Sequence, residues 1–139
     1  MNRIDLQKLA QIRTEEAEAL LRAKKWAGAY YLAGYAVECG LKACIAKKTK
    51  RHDFPPDKDF VGKCYTHKLE TLVVQAGVQV IFEAARTADP DLNVNWNIVT
   101  YWDEKARYER KRSRAQAQEL YDAITDATHG VLTWIKLHW

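Results

Sequence analysis

The stretch Trp26–Lys48, WAGAYYLAGYAVECGLKACIAKK, limits what this chain can fold into more than any other. Apolar or small residues fall at Trp26, Ala29/Tyr30, Ala33, Ala36/Val37, Gly40/Leu41 and Cys44/Ile45. That is the three-then-four spacing of one helical face, kept up along the whole segment. The opposite side is not an ordinary charged surface, because Tyr31, Gly34, Tyr35 and Cys39 occupy it. A helix that is apolar on most sides is buried on most sides. The spacing therefore predicts the central helix of an all-α bundle, with a second face free to meet another subunit.

The flanking segments supply the rest of that bundle. Leu6, Leu9, Ile12, Ala17, Leu20 and Leu21 give residues 5–24 an apolar stripe, and the short link to the central helix predicts an antiparallel helical hairpin. The lysine-rich last turn of the central helix suits its negative dipole end. His52, Asp53 and Pro55-Pro56 then stop it, so residues 49–63 read as a long loop. Thr66 is a possible cap for a helix over 67–76, which Gly77 would end. Residues 78–87 alternate like a strand, but a strand without a partner is unstable, so a helix is expected. Asp89-Pro90-Asp91 reads as a turn and a new helix start, with Trp96, Val99 and Trp102 stacked along one side. Ser113 and Gln116 form a capping-box pattern that starts the last helix at Arg114. Its apolar stripe continues through Ala117, Leu120, Ile124, Val131 and Ile135 to His138, predicting one long helix. The result is an up-and-down bundle of four to five helices plus short ones, in a single domain spanning 1–139.

Composition excludes several classes. At 47% hydrophobic and 29% charged residues the chain is of globular, not disordered, type. No apolar run approaches the roughly 20 residues that span a bilayer. The N-terminus lacks the apolar core of a signal peptide, and the three cysteines are an odd number, so a cytoplasmic protein with reduced thiols and no membrane association is expected. No nucleotide-loop, hydrolase-elbow or zincin motif occurs, and no cofactor or metal is expected.

Net charge is +4, and its distribution says more than its size. In residues 105–114, KARYERKRSR, six of ten residues are basic. A second group, Lys47, Lys48, Lys50 and Arg51, follows the central helix. Lys105, Arg107, Arg110, Lys111, Arg112 and Arg114, with Tyr101, Trp102 and Tyr108 among or beside them, have the chemistry to contact phosphates and stack on bases. Alternatively the aromatics are core residues and the cations a solvated surface. Glu38 and Lys42 lie four apart, either as a surface ion pair or as a carboxylate held inside the bundle. A buried carboxylate needs a cation, and Arg107 is the expected one. Cys64 and His67 make half a zinc pair with no second half, so His67 reads as a capping, core or binding residue. Asp122, Asp126 and His129 recur on one face of the last helix, either solvated or as a metal site.

AYYLAGYAVECGLKACI, THKLETL, NWNIVTYWDEKARYE and the closing tryptophan-bearing helix, taken together and in this order, resemble HEPN domains (higher eukaryotes and prokaryotes nucleotide-binding). The resemblance covers nearly the whole chain. It implies a helical bundle acting as a homodimer, in a family that includes RNA-cleaving toxins, nucleotide-binding domains and partners of minimal nucleotidyltransferases. The RNA-cleaving branch carries an arginine separated from a later histidine by four to six residues. Here the required positions before His52, His67, His129 and His138 hold Ile45/Ala46/Lys47, Phe60/Val61/Gly62, Asp122/Ala123/Ile124 and Val131/Leu132/Thr133. None is arginine. The expectation is a nucleotide- or RNA-phosphate-binding module with Glu38, Lys42, His67, Arg107, Tyr108, Arg110, Lys111 and Arg112 at its site and no assigned catalytic residue. The alternatives are an endonuclease that brings Arg107 to His67 or His129, or a dimeric adaptor.

Overall fold

The computed structural model describes residues 1–49 and 54–139, and every described element is helical. The first two helices, α1 (Arg3–Arg22) and α2 (Trp26–Lys48), form the expected antiparallel hairpin. Asn2 and Asp5 make a reciprocal capping box that starts α1 two residues before the predicted position. The turn between them is tight because Lys24 takes a left-handed backbone, φ 59°, and the Lys25 N–H donates back to the Leu20 carbonyl.

Burial runs around α2 rather than along one face. From Ala29 to Ile45 nearly every residue is enclosed, including Gly34, Glu38, Cys39 and Gly40. Three glycines, six residues apart, let neighbours come close. Gly28 faces Leu20 of α1, Gly34 faces the Trp102 indole, and Gly40 faces Leu132 and Ile135 near the C-terminus. The apolar surplus that suggested a subunit seam on α2 is therefore consumed within the chain.

After α2, residues 50–53 lie outside the described part, and with them His52, Lys50 and Arg51 of the second basic group. The predicted loop over 49–63 is broken by a helix, α3 (Lys58–Cys64). Asp57 caps it by accepting the Phe60 N–H at 2.8 Å, a signal hidden behind Pro55-Pro56. Next come α4 (Leu69–Gln75) and α5 (Gln79–Ala88), hinged at Gly77 with φ 71°, where a side chain would be strained. The Thr66 hydroxyl accepts the Lys68 N–H in the turn before α4, so the helix begins later than predicted. Residues 78–87 are helical, not extended. On α6 (Pro90–Thr100), Asp89 caps the first turn and Pro90 starts it. Phe82 of α5 meets Trp96 edge-on, ring centres 4.9 Å apart, and closes this side of the core.

Trp102 lies past the end of α6 and not on its stripe. It is buried, and its Nε1 donates to the Tyr31 carbonyl of α2. A 3-10 turn (Glu104–Tyr108) follows. The helix α7 (Arg114–Thr125) starts where Ser113 and Gln116 predict, with both capping hydrogen bonds formed. The single long final helix is not present. The Asp126 side chain accepts from the Thr128 and His129 N–H groups, and its carbonyl accepts from the Thr133 hydroxyl. These bonds replace helical ones, so the chain turns at 126–130 before α8 (Val131–Lys136).

Candidate functional site

The residues expected to share one site occupy two places on α2. Trp26, at its start, and Glu38 are twelve residues apart in sequence, about 18 Å along a helix axis.

At the inner place, Glu38 is 1% exposed. Its Oε1 accepts from Lys42 Nζ at 2.8 Å and from His67 Nδ1 at 2.9 Å. Its donors are thus Lys42, which supplies the balancing cation, and His67, not Arg107 as expected. Lys42 comes from the next turn of α2, and His67 is delivered by the turn that precedes α4, which packs on α2. A carboxylate only accepts, so Nδ1–H donates and Nε2 points away from the pair, with no partner among the described residues. Glu38 Oε2 is buried and has no hydrogen-bond partner among the described residues. A cavity of about 440 Å³ lies against this group between α1, α2 and α3, with Glu38, Lys42, Cys39 and Cys64 in its wall. The Cys39 thiol is pushed up to about 11, chiefly by burial and next by the Glu38 charge.

The outer place is built by the basic tract and the start of α2. Arg110 and Lys111 are exposed in the connection ahead of α7. With Arg112, Lys24 and Lys25 they line a concavity of about 480 Å³ whose floor is Trp26, Ala27 and Gly28. These three residues are the first turn of α2. Their N–H groups have no acceptor among the described residues, since Lys25 offers no side-chain cap and the turn carries no acid. Five cations and the positive end of a long helix dipole therefore meet in one hollow.

Arg112 fixes the geometry. Its Nε and Nη2 donate to both oxygens of Glu109 at 2.5 and 2.9 Å, and its guanidinium lies 3.9 Å from the centre of the Tyr30 ring. The Glu109 hydrogen bond holds the guanidinium above its ordinary value, while burial raises the Tyr30 phenol. Arg112 also borders a second cavity, about 490 Å³, between α6 and α7, lined by the buried Tyr30, by Ile98 and by the exposed Tyr101. Tyr108 is 74% exposed, its ring 4.8 Å from the Arg107 guanidinium. Of the aromatics near the tract, Trp102 is core and Tyr108 is surface. Lys24 and Lys25 were not among the expected site residues; a Lys-Lys pair directly before an uncapped helix start is the sequence signal that could have found them.

Asp122, Asp126 and His129 border one concavity, but not as three positions of one helix, because α7 ends at Thr125 and the chain turns at 126. Asp122 accepts from Gln118. His129 instead turns to α6, where Nδ1 meets Asp89 at 2.8 Å and Nε2 lies 3.7 Å from Asp91. Hydrogen bonding to Asp89 raises the His129 value, and the same bond lowers that of Asp89. The three are spaced so that they could hold a cation, but Asp89 already caps α6 and His129 already bridges to it. Cys64 and His67 join no metal-ligating cluster among the described residues. Neither His67 nor His129 pairs with Arg107, whose contact is with Tyr108.

Among the described residues no helix is long and apolar enough to cross a membrane. The chain matches no family model, no curated protein and no solved structure.

Proposed function

We propose that this protein is a nucleotide- or RNA-phosphate-binding module of HEPN type. The observation that carries the reading is the hollow at the start of α2, where Lys24, Lys25, Arg110, Lys111 and Arg112 surround three free backbone N–H groups. Phosphate oxygens are the ligand atoms that satisfy both, since cations neutralise them and N–H groups bond them. The neighbouring cavity carries the exposed Tyr101 ring at the far side of Arg112, a stacking face for a base attached to that phosphate. Arg107 and Tyr108 extend the same basic tract. On the family resemblance, the working form is a homodimer beside a separately encoded nucleotidyltransferase. An endonuclease role has less support, because Arg107 approaches neither histidine.

Fluorescence anisotropy with a short labelled oligo(A) RNA, and competition with ATP, test this. Contacts to three or four phosphates give a log–log salt slope of about −2 to −3, at about 0.7 per phosphate, so affinity falls about 20- to 50-fold between roughly 50 and 200 mM salt. Lys25→Glu with Arg110→Glu and Lys111→Glu abolishes that binding while leaving the helical spectrum intact. Salt-independent binding, or full binding by the triple variant, refutes the reading. The RNA is expected to stay intact in the same samples; cleavage that Arg107→Ala removes would establish the endonuclease instead.

A further inference from the structure

The buried carboxylate of Glu38 has a use that the basic hollow does not draw on. One oxygen takes two donors, Lys42 and His67, while Oε2 is shut in the protein with none among the described residues. A buried carboxylate oxygen without a donor costs free energy, and native proteins supply such atoms with a partner. The cavity beside it has mainly apolar walls, including Leu6 and Leu9 of α1, Tyr35 and Ile45 of α2, and Phe60 and Cys64 of α3. Its volume of about 440 Å³ falls in the range of small-molecule sites.

We propose that this cavity is a binding site for a small, uncharged, largely apolar molecule with one hydroxyl or amide N–H donor, which bonds the free oxygen of Glu38. Lys42 already balances the Glu38 charge, so a neutral ligand leaves no net charge buried, whereas an amine would meet Lys42. Oε2 itself has no surface on the cavity, so the donor reaches it when the carboxylate turns about its soft terminal torsion. The apolar body rests against Leu6, Leu9 and Phe60. The site is separate from the phosphate hollow, so either can fail without the other.

Naphthol and its methyl ether are the probes, followed by amide chemical shifts in a titration of the whole chain. Naphthol is expected to bind saturably, moving the amides of Cys39, Lys42, Ala46 and Cys64. The ether, lacking the donor, binds at least about fivefold more weakly. Glu38→Gln puts an amide N–H₂ where Oε2 stood and removes the preference for naphthol over the ether. Ala46→Phe puts a ring into the cavity that Ala46 lines, and abolishes binding in a chain with its buried pair intact. The proposal is overturned by any of four results: no saturable binding, as when a water alone fills the site; equal affinity for the ether; shifts centred on Tyr101 and Gln116; or naphthol binding that survives Ala46→Phe.

Discussion

Replacing Gly34 with alanine puts a methyl group where the Trp102 indole already lies. The added Cβ would sit 2.3 Å from three indole atoms, Cδ1, Cδ2 and Cε2, well inside contact distance. The indole is a rigid plane that is 3% exposed, stacks on Tyr31 at 6.3 Å and donates to the Tyr31 carbonyl, so it must move as a block. Overpacking of this kind costs about 1–3 kcal/mol. Losing the indole hydrogen bond adds about 0.5–1.5 kcal/mol. Alanine returns about 1 kcal/mol of helix propensity, leaving a net loss centred near ~2 kcal/mol. The other two glycines of α2 are internal controls. At Gly40 the new methyl would lie 2.9 Å from the Leu132 Cδ1 tip and 3.2 Å from Ile135, and terminal methyls of this kind give way. At Gly28 it would lie 3.2 Å from Leu20 Cδ1, so the propensity gain of up to about 1 kcal/mol prevails. Urea melts followed by tryptophan fluorescence should rank stability G28A above G40A above G34A. The G34A midpoint should fall by about 1 M, given urea slopes of about 1–3 kcal/mol/M. In a Trp102→Ala background the Gly34→Ala cost should vanish. A G34A chain as stable as the unsubstituted one, or a cost unchanged without Trp102, refutes the close approach as the reason for glycine.

Two further outcomes follow from titratable groups. His129 is raised above 6.5 by its hydrogen bond to Asp89, so its stabilising contribution is complete below that value and fades as pH rises through the elevated folded value. Asp89 is lowered below 3.8 chiefly by the same bond, so its share holds above that value and fades as pH falls through the depressed one. The clasp between α6 and the 126–130 turn is therefore strongest between these limits. The difference in urea midpoint between the unsubstituted chain and His129→Gln should be largest near pH 5 and shrink above neutrality; a pH-independent difference would show that the pair does not titrate as a unit. For the thiols, burial raises Cys39 and Cys44 to about 11, leaving about one thiolate in a thousand at pH 8. A disulfide reagent should label Cys64, the partly buried one, before the two buried thiols, and labelling of all three at one rate would contradict that order.

The parts legible in the sequence are those governed by neighbours along the chain. The Ser113–Gln116 box set the start of α7, Gly77 the hinge between α4 and α5, and the packing of small and apolar residues the burial of α2 on all sides. The break at 126–130 was hidden because Ala127, Thr128 and Val131 keep helical spacing while Asp126 captures the local N–H groups with its side chain. The Glu38 partner was misjudged for a different reason. His67 is 29 residues away, and which of several polar residues crosses to a buried carboxylate depends on how helices pack, which periodicity does not encode. The hollow at the start of α2 joins Lys24 and Lys25 to Arg110 and Lys111 in the same way, from opposite ends of the sequence.

The helix that faces Gly40 and Cys44 is α8, and this has a consequence for how the protein is made. Cys44 Sγ meets the Ile135 carbonyl, and Lys47 Nζ donates to that of His138, each across 91 residues of sequence. At a translation rate of roughly 5–20 residues per second, that side of α2 waits about 5–18 s for its cover. During that interval the nascent chain presents a bare stripe of alanine, cysteine and glycine to solvent or to a chaperone, and a second nascent chain would find the same stripe there. Shortening the wait, for instance by circular permutation that places α8 beside α1 in sequence, should raise the yield of soluble protein without altering the finished structure.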